Sequence, residues 1–209
     1  MQIPQEDSCL KQKGRKMLPE LLQSTKIFYL LHRIDIDLAD QQQKSGCPYC
    51  GSSLHYSNYK RQPRGGPDLP ESLYTRLSFC CSKKHCRRRT LPKSTLFMDR
   101  RVYFRVVILI ITALNQNKPQ EYSKNLLSNL LEANRKTITR WLVYFREIFP
   151  RSRTWKRVRG FINPTVLNRN LPGSLVDYCL DHIPSAEGAI INCLRLLTTG
   201  SPAVKTMGQ

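Results

Sequence analysis

The chain carries two close cysteine pairs: Cys47-Pro-Tyr-Cys50-Gly and, after a polar basic stretch, Phe79-Cys80-Cys81-Ser-Lys-Lys-His-Cys86-Arg-Arg-Arg-Thr. A Cys-x2-Cys turn followed by a second short cysteine pair is the spacing that lets four thiolates reach one tetrahedral Zn2+. Pro48 stiffens the first turn, and Gly51 lets the backbone wrap the metal without a Cβ clash. The expected ligands are Cys47, Cys50, Cys81 and Cys86. Neighbouring side chains on a strand point to opposite faces, so only one of Cys80 and Cys81 can face the metal. Cys81 is nearer the second turn and is the expected ligand, with Cys80 the alternative. His55 and His85 are the other side chains of ligand type nearby. A full thiolate shell leaves no open position for water, so the site reads as structural and speaks against a zinc hydrolase. Iron also accepts four thiolates, so the spacing fixes a ligand class before it fixes the element.

Eight cysteines could also be a disulfide framework. Four of them fall in the metal frame, however, and Met1-Gln-Ile-Pro-Gln-Glu-Asp has neither the basic nor the apolar region of a secretory signal. A reducing, cytosolic compartment is expected. Cys9, Cys179 and Cys193 sit singly and read as ordinary thiols, the last two as core fillers. The longest apolar run, Val106 to Ile111, falls far short of the ~20 residues of a membrane helix.

Along the chain the expected class is α+β and mainly helical, a small β-rich zinc ribbon followed by a helical domain. Four segments are expected: 1–44, a helical leader; 45–98, the ribbon; 99–160, a helix-turn-helix domain with a basic extension; and 161–209, short C-terminal helices and a tail. In the leader, Leu18, Leu22, Phe28, Leu31 and Ile34 recur at roughly helical spacing after Pro19, predicting one helix. Asp35, Asp37 and Asp40 read as its polar face. The ribbon's hairpin strands fall around Leu54 to Tyr59 and Leu73 to Cys81, joined by the loop Arg61-Gln-Pro-Arg-Gly-Gly-Pro-Asp-Leu-Pro. From the N-cap Asp99, residues Arg101 to Leu114 predict a buried helix. Pro119 opens a second, with Tyr122, Leu126, Leu127 and Leu130 on one face.

After the short turn Glu132-Ala-Asn134, Asn134 is placed to cap a third helix from Arg135 to about Phe149. Ile138, Trp141, Leu142, Phe145 and Ile148 form its inward stripe, while Arg135, Lys136, Thr139 and Arg140 face away. Two helices, a short turn and a basic face at the start of the second make a helix-turn-helix pattern, in which that face meets base edges in the major groove. Beyond Pro150, Arg151, Arg153, Lys156, Arg157 and Arg159 surround Trp155 in a segment suited to lie along phosphates. Short apolar helices near Ser174 to His182 and Ala186 to Leu197 suit packing or dimerisation.

Lysine and arginine total 34 against 15 acidic residues, a net charge of +19, and they cluster. Such a surplus fits a polyanionic partner. Arg87, Arg88 and Arg89 follow the last ligand, where metal geometry would present them as a block, though three neighbours on a strand cannot all face one way. Arg64, in the loop Pro63-Arg-Gly-Gly-Pro67, reads as part of a basic arm for a narrow minor groove, and that loop is similar to the AT-hook core but lacks its second arginine. No nucleophile-and-base pair, phosphate-cradling glycine loop or His-Glu-x-x-His occurs.

Cys47-Pro-x-Cys-Gly, Lys60-Arg-Gln-Pro-Arg-Gly-Gly-Pro, Phe79-Cys-Cys-x4-Cys-Arg-Arg-Arg-Thr, Arg100-Arg-Val-Tyr and Arg135-Lys-Thr-Ile-x-Arg-Trp together resemble bacterial transposase-type zinc-ribbon plus helix-turn-helix DNA-binding proteins, the front ends of insertion-sequence transposases. The resemblance covers about residues 45 to 160. It implies bound Zn2+, sequence-selective binding of double-stranded DNA and a link to a mobile element, as a stand-alone accessory or regulator at the nucleoid. Where that pattern commonly has glycine in the turn, this chain has Glu132, at a cost of about 1 kcal/mol if φ is positive. No acidic catalytic domain follows, so a transposase or recombinase partner would supply cleavage. The partner set is therefore duplex DNA, that enzyme and a second copy of the chain. Structured RNA and a role as protein adaptor are the alternatives.

Overall fold

The computed structural model describes residues 15–98, 101–116 and 134–201, with Arg135 described in its backbone only. Asp99, Cys9, the expected helix from Pro119 with Tyr122, Leu126, Leu127 and Leu130, and the turn at Glu132 lie outside those residues. Among the described residues the fold is α+β, mainly helical, with two small sheets. It divides into two compact units: Ser24–Arg105, and the described residues up to Gln23 together with those from Val106 onward. Among the described residues, no helix is long and apolar enough to cross a membrane.

In the first unit the long helix α1, Thr25–Ser45, buries Ile27, Phe28, Leu31, Asp35 and Ala39 on one stripe. Phe28 meets Phe104 edge-on at 5.0 Å between ring centroids, and Tyr74 and Phe97 each stand 6.0 Å from the same ring. Further along, Ala39 is buried in a cluster with Cys47, Leu54, Phe79 and Cys81. The helix stops at Gly46, whose φ of 73° is the left-handed region that favours glycine. The chain turns so tightly there that a Cβ on Gly46 would stand 2.8 Å from the Gly51 carbonyl oxygen.

Five short strands follow: β1 Leu54–Tyr56, β2 Tyr59–Lys60, β3 Thr75–Arg76, β4 Phe79–Cys81 and β5 Arg89–Thr90. An antiparallel sheet has the order β1-β4-β5, with Leu54 opposite Cys81 and Phe79 opposite Thr90, while β2 pairs with β3. The expected pair of continuous strands is thus split in two. Asn58 causes the split: its side-chain oxygen accepts the Ser78 amide at 3.0 Å, taking the place of a backbone acceptor in the ladder. Leu73 falls not on a strand but in the 3-10 turn Glu71–Tyr74.

Three further expectations are corrected in this unit. The basic loop is docked and does not form a free arm: the Arg64 amide donates to Val102 O at 2.6 Å, and Phe104 N donates to Arg64 O at 3.3 Å. Tyr103 and Phe104 are taken up in bridges with Arg64 and Phe97, so the next helix, α2, runs Arg105–Gln116 and not from Arg101. Asp35 is not on a polar face but buried, at 2 % exposure. Its carboxylate accepts from the hydroxyl of Ser94, from the amide and hydroxyl of Thr95 and, at 3.4 Å, from the Leu96 amide.

In the second unit, residues 15–21 are helical and the chain breaks from helix at 22–24, so the leader is not one helix. Arg15 holds Asp177 through two hydrogen bonds of 2.6 Å. From Val106 to Leu114, α2 is buried all round, and Gln116 secures its end by donating to Leu171 O at 2.7 Å and accepting from Gly173 N at 2.9 Å. Helix α3, Arg135–Val143, is capped by Asn134, whose side chain accepts from Lys136 N at 3.0 Å.

Helix α3 does not continue regularly to Phe149. Tyr144–Ile148 form a π turn and Phe149–Arg151 a 3-10 turn. The wider turn accommodates Pro150, which cannot donate to the helical ladder. It also rotates the stripe. Trp141, Phe145 and Phe149 are buried, whereas Ile148, expected inward, is 57 % exposed. Ser152 caps α4, Arg153–Val158, its hydroxyl accepting from Trp155 N at 3.1 Å. The remaining helices, α5 (Gly173–His182) and α6 (Ala186–Thr199), fall where expected and bury Cys179 and Cys193 against their apolar neighbours.

Candidate metal centre and basic surfaces

Two turns bring four sulfurs together. In the first, Gly51 N donates to Cys47 O and Cys47 N to Ser52 O, both at 2.8 Å, so Cys47 and Cys50 point to one side. In the second, Cys86 N and Arg87 N both donate to Lys83 O, at 2.9 and 3.1 Å, and Arg87 takes a positive φ of 42°. Antiparallel pairing of Leu54 with Cys81 sets the turns face to face. The Ser53 and Ser82 hydroxyls, 2.8 Å apart, tie them again at the surface.

The ligand atoms of Cys47, Cys50, Cys81 and Cys86 all lie within 4.8 Å of one another. Cys47 Sγ is 3.8 Å from Cys86 Sγ, and Cys50 Sγ is 3.4 Å from Cys81 Sγ. Tetrahedral thiolates at the usual ~2.3 Å from Zn2+ are ~3.8 Å apart, so the cluster fits such an ion. These separations are far from the ~2.05 Å of a disulfide, and all four thiols are free. The set is the expected one. Cys81 is buried inside the cluster, while Cys80 faces the other way, its Sγ 3.6 Å from Arg87 O. Neither His55 nor His85 joins the cluster. Hydrogen bonds from the backbone and hydroxyl of Ser52 hold the Cys50 thiol down to about 6, while burial pushes Cys81 up to about 12. A metal ion would have to displace protons from this set, so its affinity would weaken in acid.

The arginines after Cys86 are all exposed, and of the three only Arg89 lies on a strand, β5. Arg88 lies over the Tyr49 ring at 4.5 Å, and Arg89 over the Tyr59 ring at 5.4 Å. Arg64 also has an exposed side chain, on its docked loop. Sequence reading missed the tyrosine partners, because Tyr49 lies inside the first cysteine turn, far along the chain from Arg88.

In the second unit, Lys136, Thr139 and Arg140 share an exposed strip of α3. Arg151, Arg153, Lys156 and Arg157 are exposed around α4, with Arg157 also donating to Thr199 O at 3.5 Å. The expected role of Trp155 among them is corrected. It is 1 % exposed, its indole N–H donates to Asn168 Oδ1 at 2.8 Å, and its ring packs on Phe149 at 5.6 Å. Burial of that aromatic face fills the core and leaves the arginines outside.

Comparison with family models, with curated proteins and with solved structures finds no match for the chain.

Proposed function

We propose that the chain is a non-enzymatic, zinc-containing DNA-binding protein. In this reading residues 45–98 are a zinc ribbon, and α3 is the recognition helix of a helix-turn-helix. The carrying observation is the closed set of four cysteines with exposed arginines on its second turn. Four thiolates complete a tetrahedral shell and leave no site for substrate, so the metal's chemistry is to fix the two turns. What is fixed is a cationic surface: between Glu71 and Asp99 the chain has no acidic residue, while Lys83, Lys84, Arg87, Arg88, Arg89 and Lys93 fall there. Lys136, Thr139 and Arg140 would read base edges in the major groove, and Arg151, Arg153 and Lys156 would set register on the phosphates.

The family resemblance extends this reading to an accessory or regulatory protein of a mobile element, working beside a transposase or recombinase. Burial of Trp155 removes the ring on which the RNA alternative relied for stacking, while Tyr49, Tyr56 and Phe161 remain exposed, so duplex and RNA are separated by experiment. The test is competition at physiological salt, with zinc-loaded protein bound to labelled duplex DNA and challenged by unlabelled duplex or structured RNA. Duplex DNA is expected to compete better. Better competition by RNA would transfer the reading to a ribonucleoprotein component, and absence of binding to either would leave the adaptor.

A further inference from the structure

The two halves of one surface feature come from the two metal-binding turns. Tyr49 sits between Cys47 and Cys50 and is 59 % exposed, and Arg88 follows Cys86 by two residues. The guanidinium of Arg88 lies 4.5 Å from the centroid of the Tyr49 ring. Its backbone is fixed as well, since Arg88 O accepts from Cys81 N at 3.1 Å, directly beside a ligand. Among the described residues no carboxylate pairs with Arg88. A guanidinium stacked on an aromatic face keeps its N–H edge in plane and outward, which is the geometry that receives two phosphate oxygens together.

We infer that Tyr49 and Arg88 form a preorganised phosphodiester-binding site for duplex DNA, carried by the two cysteine turns. This rests on the DNA-binding reading above and adds to it a site and a positioning residue. Tyr49 acts through Arg88: it does not touch the base or the phosphate but holds the guanidinium, lowering the side-chain ordering that binding would otherwise require. Arg88 is then more than a point charge, and lysine cannot replace it.

The experiment is a binding titration of the zinc-loaded full chain with a labelled mixed-sequence duplex over a series of salt concentrations. The variants are Arg88→Ala, Arg88→Lys, Tyr49→Leu and the double variant Tyr49→Leu/Arg88→Ala. The thiolate absorption of the Co2+-substituted protein shows for each that the cysteine site is intact. Arg88→Ala is expected to lower the salt slope by about one. Arg88→Lys is expected to keep the slope yet weaken binding about two- to fivefold, as is Tyr49→Leu. In the double variant the tyrosine change should add nothing once Arg88 is gone. Arg88→Lys binding like the parent, or additive losses in the double variant, would overturn the site while leaving DNA binding intact. Failure of the unmodified chain to bind duplex would overturn the DNA reading itself and this site with it.

Discussion

Replacing Asp35 tests how the first unit is held together. At 2 % exposure the carboxylate accepts from the Ser94 hydroxyl and the Thr95 amide, more weakly from Leu96 N, and shares the Thr95 hydroxyl with Leu31 O. It thereby ties α1 to the segment that leads into Phe97 and Phe104. Asp35→Ala strands at least the Thr95 amide and the Ser94 hydroxyl, at about 1–3 kcal/mol each, and relieves part of the cost of burying a carboxyl. The net loss is expected to be about 3 kcal/mol. Asp35→Asn keeps the shape and one acceptor and should lose about half as much. Burial raises the Asp35 pKa despite these donors. The native state therefore holds the proton more tightly than the unfolded chain, so this group's contribution to stability falls as pH rises from the ordinary carboxylate value through the raised one, then levels off. The assay is native-state hydrogen exchange in α1 for the parent and Asp35→Asn across that range. The parent's advantage over Asp35→Asn should be largest at the acid end. An advantage that grows with pH would refute the reasoning, because it would mean that the hydrogen bonds outweigh burial.

Other consequences are as specific. Cys81→Ser should abolish the four-thiolate absorption of the Co2+-loaded protein, and Cys80→Ser should leave it unchanged; the opposite pattern would reassign the ligand. Metal release, followed by the same absorption, should set in as pH falls, because each ligand must be deprotonated to bind. Gly46→Ala should destabilise the Ser24–Arg105 unit by about 2 kcal/mol, since a side chain there meets both a positive φ and the Gly51 carbonyl. Urea unfolding measures it, and a neutral result would mean that the helix end shifts freely. Trp155→Phe should lose about 1–3 kcal/mol of stability with the Asn168 hydrogen bond, yet leave affinity for duplex unchanged; a selective loss of affinity would return the ring to the binding surface.

What could be read from the sequence follows how locally each feature is encoded. The cysteine frame was legible because ligand spacing is a short-range constraint, and strand alternation correctly separated Cys81 from Cys80. Helices α5 and α6, and the Asn134 cap of α3, were legible for the same reason. Asp35 was not: its partners lie some sixty residues later in the chain, and between Ile34 and Ile36 it looks like one polar position among apolar ones. Ile148 was misplaced because a periodicity of 3.6 assumes a regular helix, and the π turn before Pro150 shifts the stripe to Phe149. The strand at Tyr56 looked continuous until Asn58 took a ladder amide with its side chain. Composition grouped Trp155 with the arginines around it, but a helix turns that same run into one buried face and one charged face.

The central claim is the proposal that α3 reads a DNA sequence. The most direct test is a selection from random duplex DNA at physiological salt with the zinc-loaded chain, run beside Arg140→Ala. The account predicts one enriched motif, and loss of preference at a single base pair, worth about 1–3 kcal/mol, in the variant. Uniform, salt-labile binding with no motif, unchanged by Arg140→Ala, would contradict it.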